Sequence, residues 1–179
     1  CTVNLFVYEM VCGGGATLPS GRHGELETID DFLNVPTLVA DGALMLRAVC
    51  ELCHDSHDIQ ARVTIDQRLT EFAATLSSQG VEVRLADPAD PWPSFRQACQ
   101  AADQTMVIAP ELGSLLREAV DQCRQVNGKL VGPTETLLEL GIDKLALHHW
   151  ADRNDVRMPG YAEITNGVVE MPQTMQPLL

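Results

Sequence analysis

Residues 59–87 read IQARVTIDQRLTEFAATLSSQGVEVRLAD. Ile59, Ala61, Val63 and Ile65 alternate with Gln60, Arg62 and Thr64, the period-two pattern of a half-exposed strand that ends at Asp66. Leu69, Phe72, Ala73 and Leu76 then recur at helical spacing, and Gly80 closes that helix. Val81, Val83 and Leu85 return to the period of a strand, which ends at Asp87-Pro88. Two strands joined through a helix must run parallel, and a parallel sheet needs helices on its faces.

The same alternation extends outward. Residues 2–8 are β-branched or aromatic almost throughout and predict a buried strand. Residues 9–36 form a long glycine-rich loop holding Gly13, Gly14, Gly15, Gly21 and Gly24. Residues 37–53 predict a helix with Val39, Ala43, Leu46, Cys50 and Cys53 on one stripe and Leu38, Met45 and Leu52 beside it, a surface wide enough to be largely buried. Past Asp87, Pro93-Ser94 opens a short helix with Phe95, Ala98, Cys99 and Ala102 inward, and Met106 to Ala109 is a continuously apolar strand. Leu112, Leu115, Leu116, Ala119, Val120 and Cys123 form the next helical stripe, Asn127-Gly128 ends it, and Lys129 to Val131 is a fifth strand.

The fold class is therefore α/β, a three-layer open parallel sheet. Strands one and four are apolar on both faces and should be central, while strands two and three alternate and should lie toward an edge, giving the order 3-2-1-4-5 of half a doubly wound sheet. After residue 132 the pattern changes to a short α+β appendage: helices over Thr134–Leu140 and Asp143–Ala151, then a small hairpin about Asn166-Gly167. The expected division is 1–132 and 133–179.

Lys and Arg number 12 and Asp and Glu 25, so the formal net charge of the 179 residues is −13. Such a surface repels phosphate backbones and argues against nucleic acid or an anionic membrane as partner. No apolar run reaches the ~18–20 residues of a membrane span. The chain starts at Cys1, enters an apolar stretch at once and stops on Pro177-Leu178-Leu179, which reads as a piece of a longer protein. A leading Cys also suits a lipidated terminus, but that needs a flexible linker behind it, and Thr2 to Tyr8 is not one. Of six cysteines, Cys50, Cys53, Cys99 and Cys123 fall on apolar helix faces, where free Cys behaves as a small hydrophobe, so the expected setting is reducing and cytoplasmic.

Ligands of an open parallel sheet bind beyond the carboxyl ends of its strands, at the switch in strand order. Strand one ends at Glu9, followed by Gly13, Gly14 and Gly15, and strand four ends at Pro110-Glu111. If strands one and four are neighbours, these residues border one crevice, and amides of the triple glycine can approach a ligand closely. Two plainer roles stand beside this: the glycines permit a tight exit from the strand, and Glu111 caps the next helix. Gly-Gly-Gly does not match the dinucleotide fingerprint, which argues against a nicotinamide cofactor.

Cys50, Cys53, His54 and His57 have the spacing of a haem attachment or of four zinc ligands. Both cysteines belong to the apolar stripe of a helix, however, and the histidines to its polar exit, so no metal is expected. Asp66 and Asp87 invite comparison with phospho-acceptor receiver domains, but Lys129 stands at the wrong end of strand five. His148-His149 reads as a surface pair. One of only two lysines, Lys144, follows Asp143 at the start of a helix, where a cation opposes the dipole and suggests a nearby anion, unless its head lies in water.

Gly132-Pro133, a short helix, Asp143-Lys144, a second helix and Met158-Pro159 together resemble the opening of an ATP-grasp fold. Tyr8-Glu9, Gly13-Gly14-Gly15, Leu38, Asp41-Gly42, Met45-Leu46 and Ala109-Pro110-Glu111 are similar to the ATP-grasp ligases related to tyramine–glutamate ligase, departing from them at Asp41-Gly42, where Glu-Gly is expected. The resemblance implies a pre-ATP-grasp domain over 1–132 and the beginning of a nucleotide-binding domain over 133–179. It implies ATP-dependent joining of a small-molecule carboxylate to an amine through an acyl phosphate, with ATP and Mg²⁺ as cofactors. Lys144 matches a lysine that contacts ATP phosphates. Glu9, Gly13, Gly14, Gly15 and Glu111 would face the substrate side of the cleft. The second phosphate lysine, the glycine-rich lid and the acidic Mg²⁺ ligands of such enzymes lie beyond this segment, so the chain alone is expected to be inactive. A stand-alone flavodoxin-like module that binds a small ligand or a protein is the alternative, and an apolar patch is expected to favour a homodimer.

Overall fold

The computed structural model describes residues 2–15, 36–87, 89–110, 115–165 and 168–170. The chain divides into two compact units, Cys1–Gly132 and Pro133–Leu179. In the first unit the order is β1 (Val3–Glu9), α1 (Pro36–Ser56), β2 (Ile59–Asp66), α2 (Thr70–Ser78), β3 (Glu82–Ala86), α3 (Trp92–Ala101), β4 (Gln104–Ile108), α4 (Leu115–Gln125) and β5 (Leu130–Val131). All five strands are parallel, in the order β3-β2-β1-β4-β5. This is the expected α/β architecture and strand order.

The physical basis of that order is visible in β1. Phe6 and Tyr8 point to one face of the sheet and Leu5 and Val7 to the other, all four buried, so only a central position satisfies both faces. Leu5 and Val7 join Leu46, Cys50 and Cys53 of α1 and Ala73 and Leu76 of α2 in one core. Phe6 and Tyr8 join Trp92, Phe95 and Cys99 of α3 and Ala119 and Cys123 of α4 in the other. Tyr8, Trp92 and Phe95 pack together, Phe95 meeting each of the others edge to face, with the Tyr8 and Phe95 centroids 4.6 Å apart. At the amino end of the sheet, Asn4 donates its backbone N–H and its Nδ2 to the Asp103 carboxylate at 2.9 and 3.2 Å, and Asp103 N–H returns a bond to the Asn4 carbonyl. That clasp ties β1 to the α3–β4 turn.

Two expectations are corrected. The first concerns α1, which is amphipathic rather than largely buried: Leu38, Met45 and Leu52 are 38, 46 and 70 % exposed. A helix laid on a sheet buries an arc of roughly 100°, and Leu46, Cys50 and Cys53 already fill it. The second concerns β2, whose polar positions are not solvated at its carboxyl end, because Thr64 and Asp66 are buried under the α3 side of the sheet. Alternation marks two different faces, and here both are covered.

The second unit holds α5 (Glu135–Ile142), α6 (Lys144–Arg153) and the antiparallel pair β6 (Glu163–Thr165) and β7 (Val168–Glu170). Thr165 opposes Val168, a register that leaves two residues for the turn, and Asn166-Gly167 themselves lie outside the described residues. Thr134 caps α5 by accepting from Leu137 N–H, and Asp143 caps α6 by accepting from Ala146 N–H at 2.9 Å. Among the described residues no helix is long and apolar enough to cross a membrane.

The corrected face of α1 is testable by paired substitutions. Leu46→Ala, at a fully buried site, is expected to cost about 2–5 kcal/mol. Leu52→Gln, in the same helix, should change stability by less than about 0.5 kcal/mol. Urea midpoints of the two variants decide it, since comparable losses would return Leu52 to the core.

Candidate functional site

The switch in strand order falls between β1 and β4, where Glu9 is level with Ile108. Helix α1 then covers the face shared with β2, and α4 covers the opposite face. Helices α1 and α4, which follow β1 and β4 in sequence, thus lie on opposite faces, the arrangement in which such a sheet opens a crevice at its carboxyl edge. Glu9, Gly13, Gly14 and Gly15 lie at this edge, and Glu111 lies outside the described residues.

Residues 10–15 form a compact turn directly after β1. Its backbone folds back on Glu9, whose carbonyl accepts from Gly13 N–H at 2.7 Å. The Glu9 side chain is buried, the residue being 2 % exposed. Its Oε1 accepts from Val11 N–H at 3.2 Å and its Oε2 from Cys12 N–H at 2.8 Å. Burial pushes the Glu9 carboxyl above its ordinary range, and the Cys12 and Val11 amides pull against that shift. The Cys12 thiol, beside the same carboxylate, is itself pushed up, first by burial and then by the Glu9 charge. Glu9 thus organises the turn from beneath.

The glycines have steric reasons to be glycine. A Cβ on Gly13 would stand 2.3 Å from the Tyr8 ring, and one on Gly15 would stand 2.3 Å from the Tyr8 hydroxyl. Gly14 has φ +88°, in the left-handed region, and a Cβ there would lie 3.2 Å from Pro91 Cβ. The turn leans toward β2 and β3 rather than β4: the Cys12 carbonyl accepts from Asp66 N–H at 2.7 Å, and Gly14 approaches Ala86 and Asp66. Buried Asp66 in turn accepts from the Arg68 guanidinium at 2.6 Å and from Arg68 N–H at 2.8 Å.

Two neighbours of Glu9 escape a reading of the sequence for site residues. Gly42, within α1, lies against the carboxylate, and a Cβ there would meet Oε2 at 2.5 Å and Cδ at 2.8 Å. A glycine in a helix interior costs about 1 kcal/mol against alanine, and that cost is the sequence signal of a close approach. Cys12 gives no such signal, because a buried cysteine is ordinarily filler.

Lys144, in the second unit, is the first residue of α6 and exposed, and its ammonium donates to the Gly141 carbonyl in the last turn of α5. The cation at the start of one helix therefore meets the negative end of the preceding one. His148 stacks on Tyr161 at 4.2 Å. Cys50 and Cys53 point into the core, whereas His54 and His57 are exposed. Among the described residues no group of three or more His, Cys, Asp or Glu is placed to hold a metal ion.

The Glu9 geometry can be measured in two ways. Gly42→Ala should destabilise the first unit by about 1–3 kcal/mol through overpacking, opposite in sign to its helix propensity. A stabilised variant would show that the carboxylate yields. The second is pH dependence. A folded-state carboxyl pKa above the unfolded one makes the folded state hold its proton longer, so this contribution is full below the unfolded pKa of about 4.3 and is lost as pH rises through the folded value. The urea midpoint of wild type relative to Glu9→Gln should therefore fall with rising pH across that window. A relative rise would mean that the two amides outweigh burial.

No curated protein and no solved structure matches the chain. A family model does: residues 59–136, from β2 to the first residues of α5, match the pre ATP-grasp 3 domain. Residues 59–136 are thus similar to a pre ATP-grasp 3 domain, which is consistent with an N-terminal domain of the ATP-grasp superfamily.

Proposed function

We propose that this chain is the N-terminal part of an ATP-grasp ligase that joins a small-molecule carboxylate to an amine through an acyl phosphate. The observation that carries the reading is the match of residues 59–136 to the pre ATP-grasp 3 domain on a sheet of order 3-2-1-4-5. In such a reaction the carboxylate attacks the γ-phosphorus of ATP and ADP leaves. The amine then attacks the acyl carbon and phosphate leaves. Both steps are served by holding reactants in line and by countering phosphoryl charge.

Within this reading the 10–15 turn supplies the substrate side of the cleft through its backbone, and Glu9 acts as a positioning residue that holds the turn. Glu111, which follows β4 in sequence, is assigned the same substrate side by the resemblance alone. Lys144 contacts an ATP phosphate. One exposed cation in the first turn of a ten-residue helix fits a single phosphate contact. The described residues do not fit a magnesium site, and no step of this chain is assigned to that ion. The chain by itself binds ATP weakly and does not complete the reaction. The ligase works in the cytoplasm.

The test uses the complete ligase and a panel of amino acids and amines. ADP release that requires both an acid and an amine, with a hydroxamate formed when hydroxylamine replaces the amine, is the expected result. AMP and pyrophosphate instead would mean an adenylate route, and no nucleotide turnover would favour a small-ligand-binding module without catalysis. Lys144→Ala should raise the KM for ATP by roughly 10–100-fold, the value of one charge-assisted bond.

A further inference from the structure

The ligase reading leaves a second group of reactive side chains unused. Cys99 lies near the end of α3 and Cys123 near the end of α4, both buried in the core on the far face of the sheet from α1. The two thiols and the buried Thr105 hydroxyl of β4 perturb one another's proton affinity. The backbone after α4 closes tightly over the pair. A Cβ built on Gly128 would lie 2.5 Å from Cys123 Sγ and 3.2 Å from Cys99 Cβ, so both cysteines border the same point. Gly128 N–H bonds the Cys123 carbonyl at 2.9 Å, which holds that backbone in place.

We propose that Cys99 and Cys123 are a modification site, a dithiol that hydrogen peroxide converts reversibly to a disulfide linking α3 to α4. Both cysteines border the point a Gly128 side chain would occupy, on two helices packed against each other, so an S–S bond of ~2.05 Å joins groups the fold already brings side by side. The two thiols are also unequal. The neighbouring Cys99, then Thr105 and Arg124, hold the Cys123 thiol below its usual range, while Cys123 and burial push the Cys99 thiol up. Burial raises the other described thiols, at Cys12, Cys50 and Cys53, which makes Cys123 the better nucleophile of the set.

The chemistry balances without a further reactant. Cys123 thiolate attacks one peroxide oxygen, an S–O bond forms, the O–O bond breaks, and hydroxide leaves and takes up a proton as water. Cys99 sulfur then attacks the Cys123 sulfenic acid, the S–S bond forms, and a second water departs carrying the Cys99 proton. Two thiols lose two electrons and peroxide gains them. A thiol donor such as dithiothreitol reverses the change by exchange. Access to the buried pair comes through local opening of the last turns of α3 and α4.

The experiment treats the purified chain with hydrogen peroxide, blocks remaining thiols, and maps peptides by mass. The expected product is a Cys99–Cys123 cross-linked peptide, two hydrogens lighter, which disappears with dithiothreitol and is absent from Cys99→Ser and Cys123→Ser. The oxidised wild type should also have a higher urea midpoint than the reduced one. The wild-type map carries the test even where a serine variant fails to fold. Sulfinic or sulfonic acid on Cys123 without a cross-link, a bond through other cysteines, or six thiols unchanged after prolonged exposure would each overturn it.

Discussion

A carboxylate taken out of water must be met by donors, and at Glu9 the donors are the chain's own next amides, Val11 and Cys12. That requirement dictates the path of the backbone. To bring two amides onto one side chain, the chain must turn back immediately after β1, which draws Gly13 and Gly15 against the Tyr8 ring and puts Gly14 in the left-handed region. The other side of the carboxylate is closed by Gly42, so the position of α1 over the sheet is set by the same group. Sheet, turn and first helix meet at one buried carboxyl group, and side chains at Gly13, Gly15 or Gly42 would collide with Tyr8 or Glu9.

The strand order was legible because it rests on burial alone. β1 has apolar residues on both faces and must be central, and the helical stripes alternate with strands at the spacing of parallel crossovers. The buried face of each helix was legible for the same reason where one stripe was narrow, as in α4. It was not legible in α1, where Leu38, Leu46 and Leu52 are chemically alike and only the sheet decides which of them it covers. Nor was it in β2, where Thr64 and Asp66 look like solvent-facing residues and are buried under α3.

The candidate site was legible as a place and much less so as a set of contacts. Glu9 and the three glycines lie at the carboxyl edge of β1, as the switch-point rule requires. What each does there depends on partners remote in sequence. Glu9 meets Gly42, 33 positions away, and Cys12 bonds Asp66 across the sheet edge. Hydrophobic period carries no information about such pairs. The one local clue was Gly42 itself, a residue that weakens its helix and needs a tertiary reason to be there.

Lys144 illustrates how a local rule and a structure can agree on chemistry and differ on partner. A cation at a helix start is unfavourable toward its own helix, and the rule calls for negative charge nearby. In the structure that charge is the carbonyl end of α5, at Gly141. A neutral carbonyl holding an ammonium at an exposed position is a weak restraint, since water competes for both groups. A phosphate carries full charge and accepts bonds about twice as strong. An exposed lysine parked on a helix terminus, with a flexible four-carbon stem, needs only rotamer changes to exchange the one acceptor for the other. The observed contact therefore does not compete with a nucleotide role. It holds the ammonium at the α5–α6 junction.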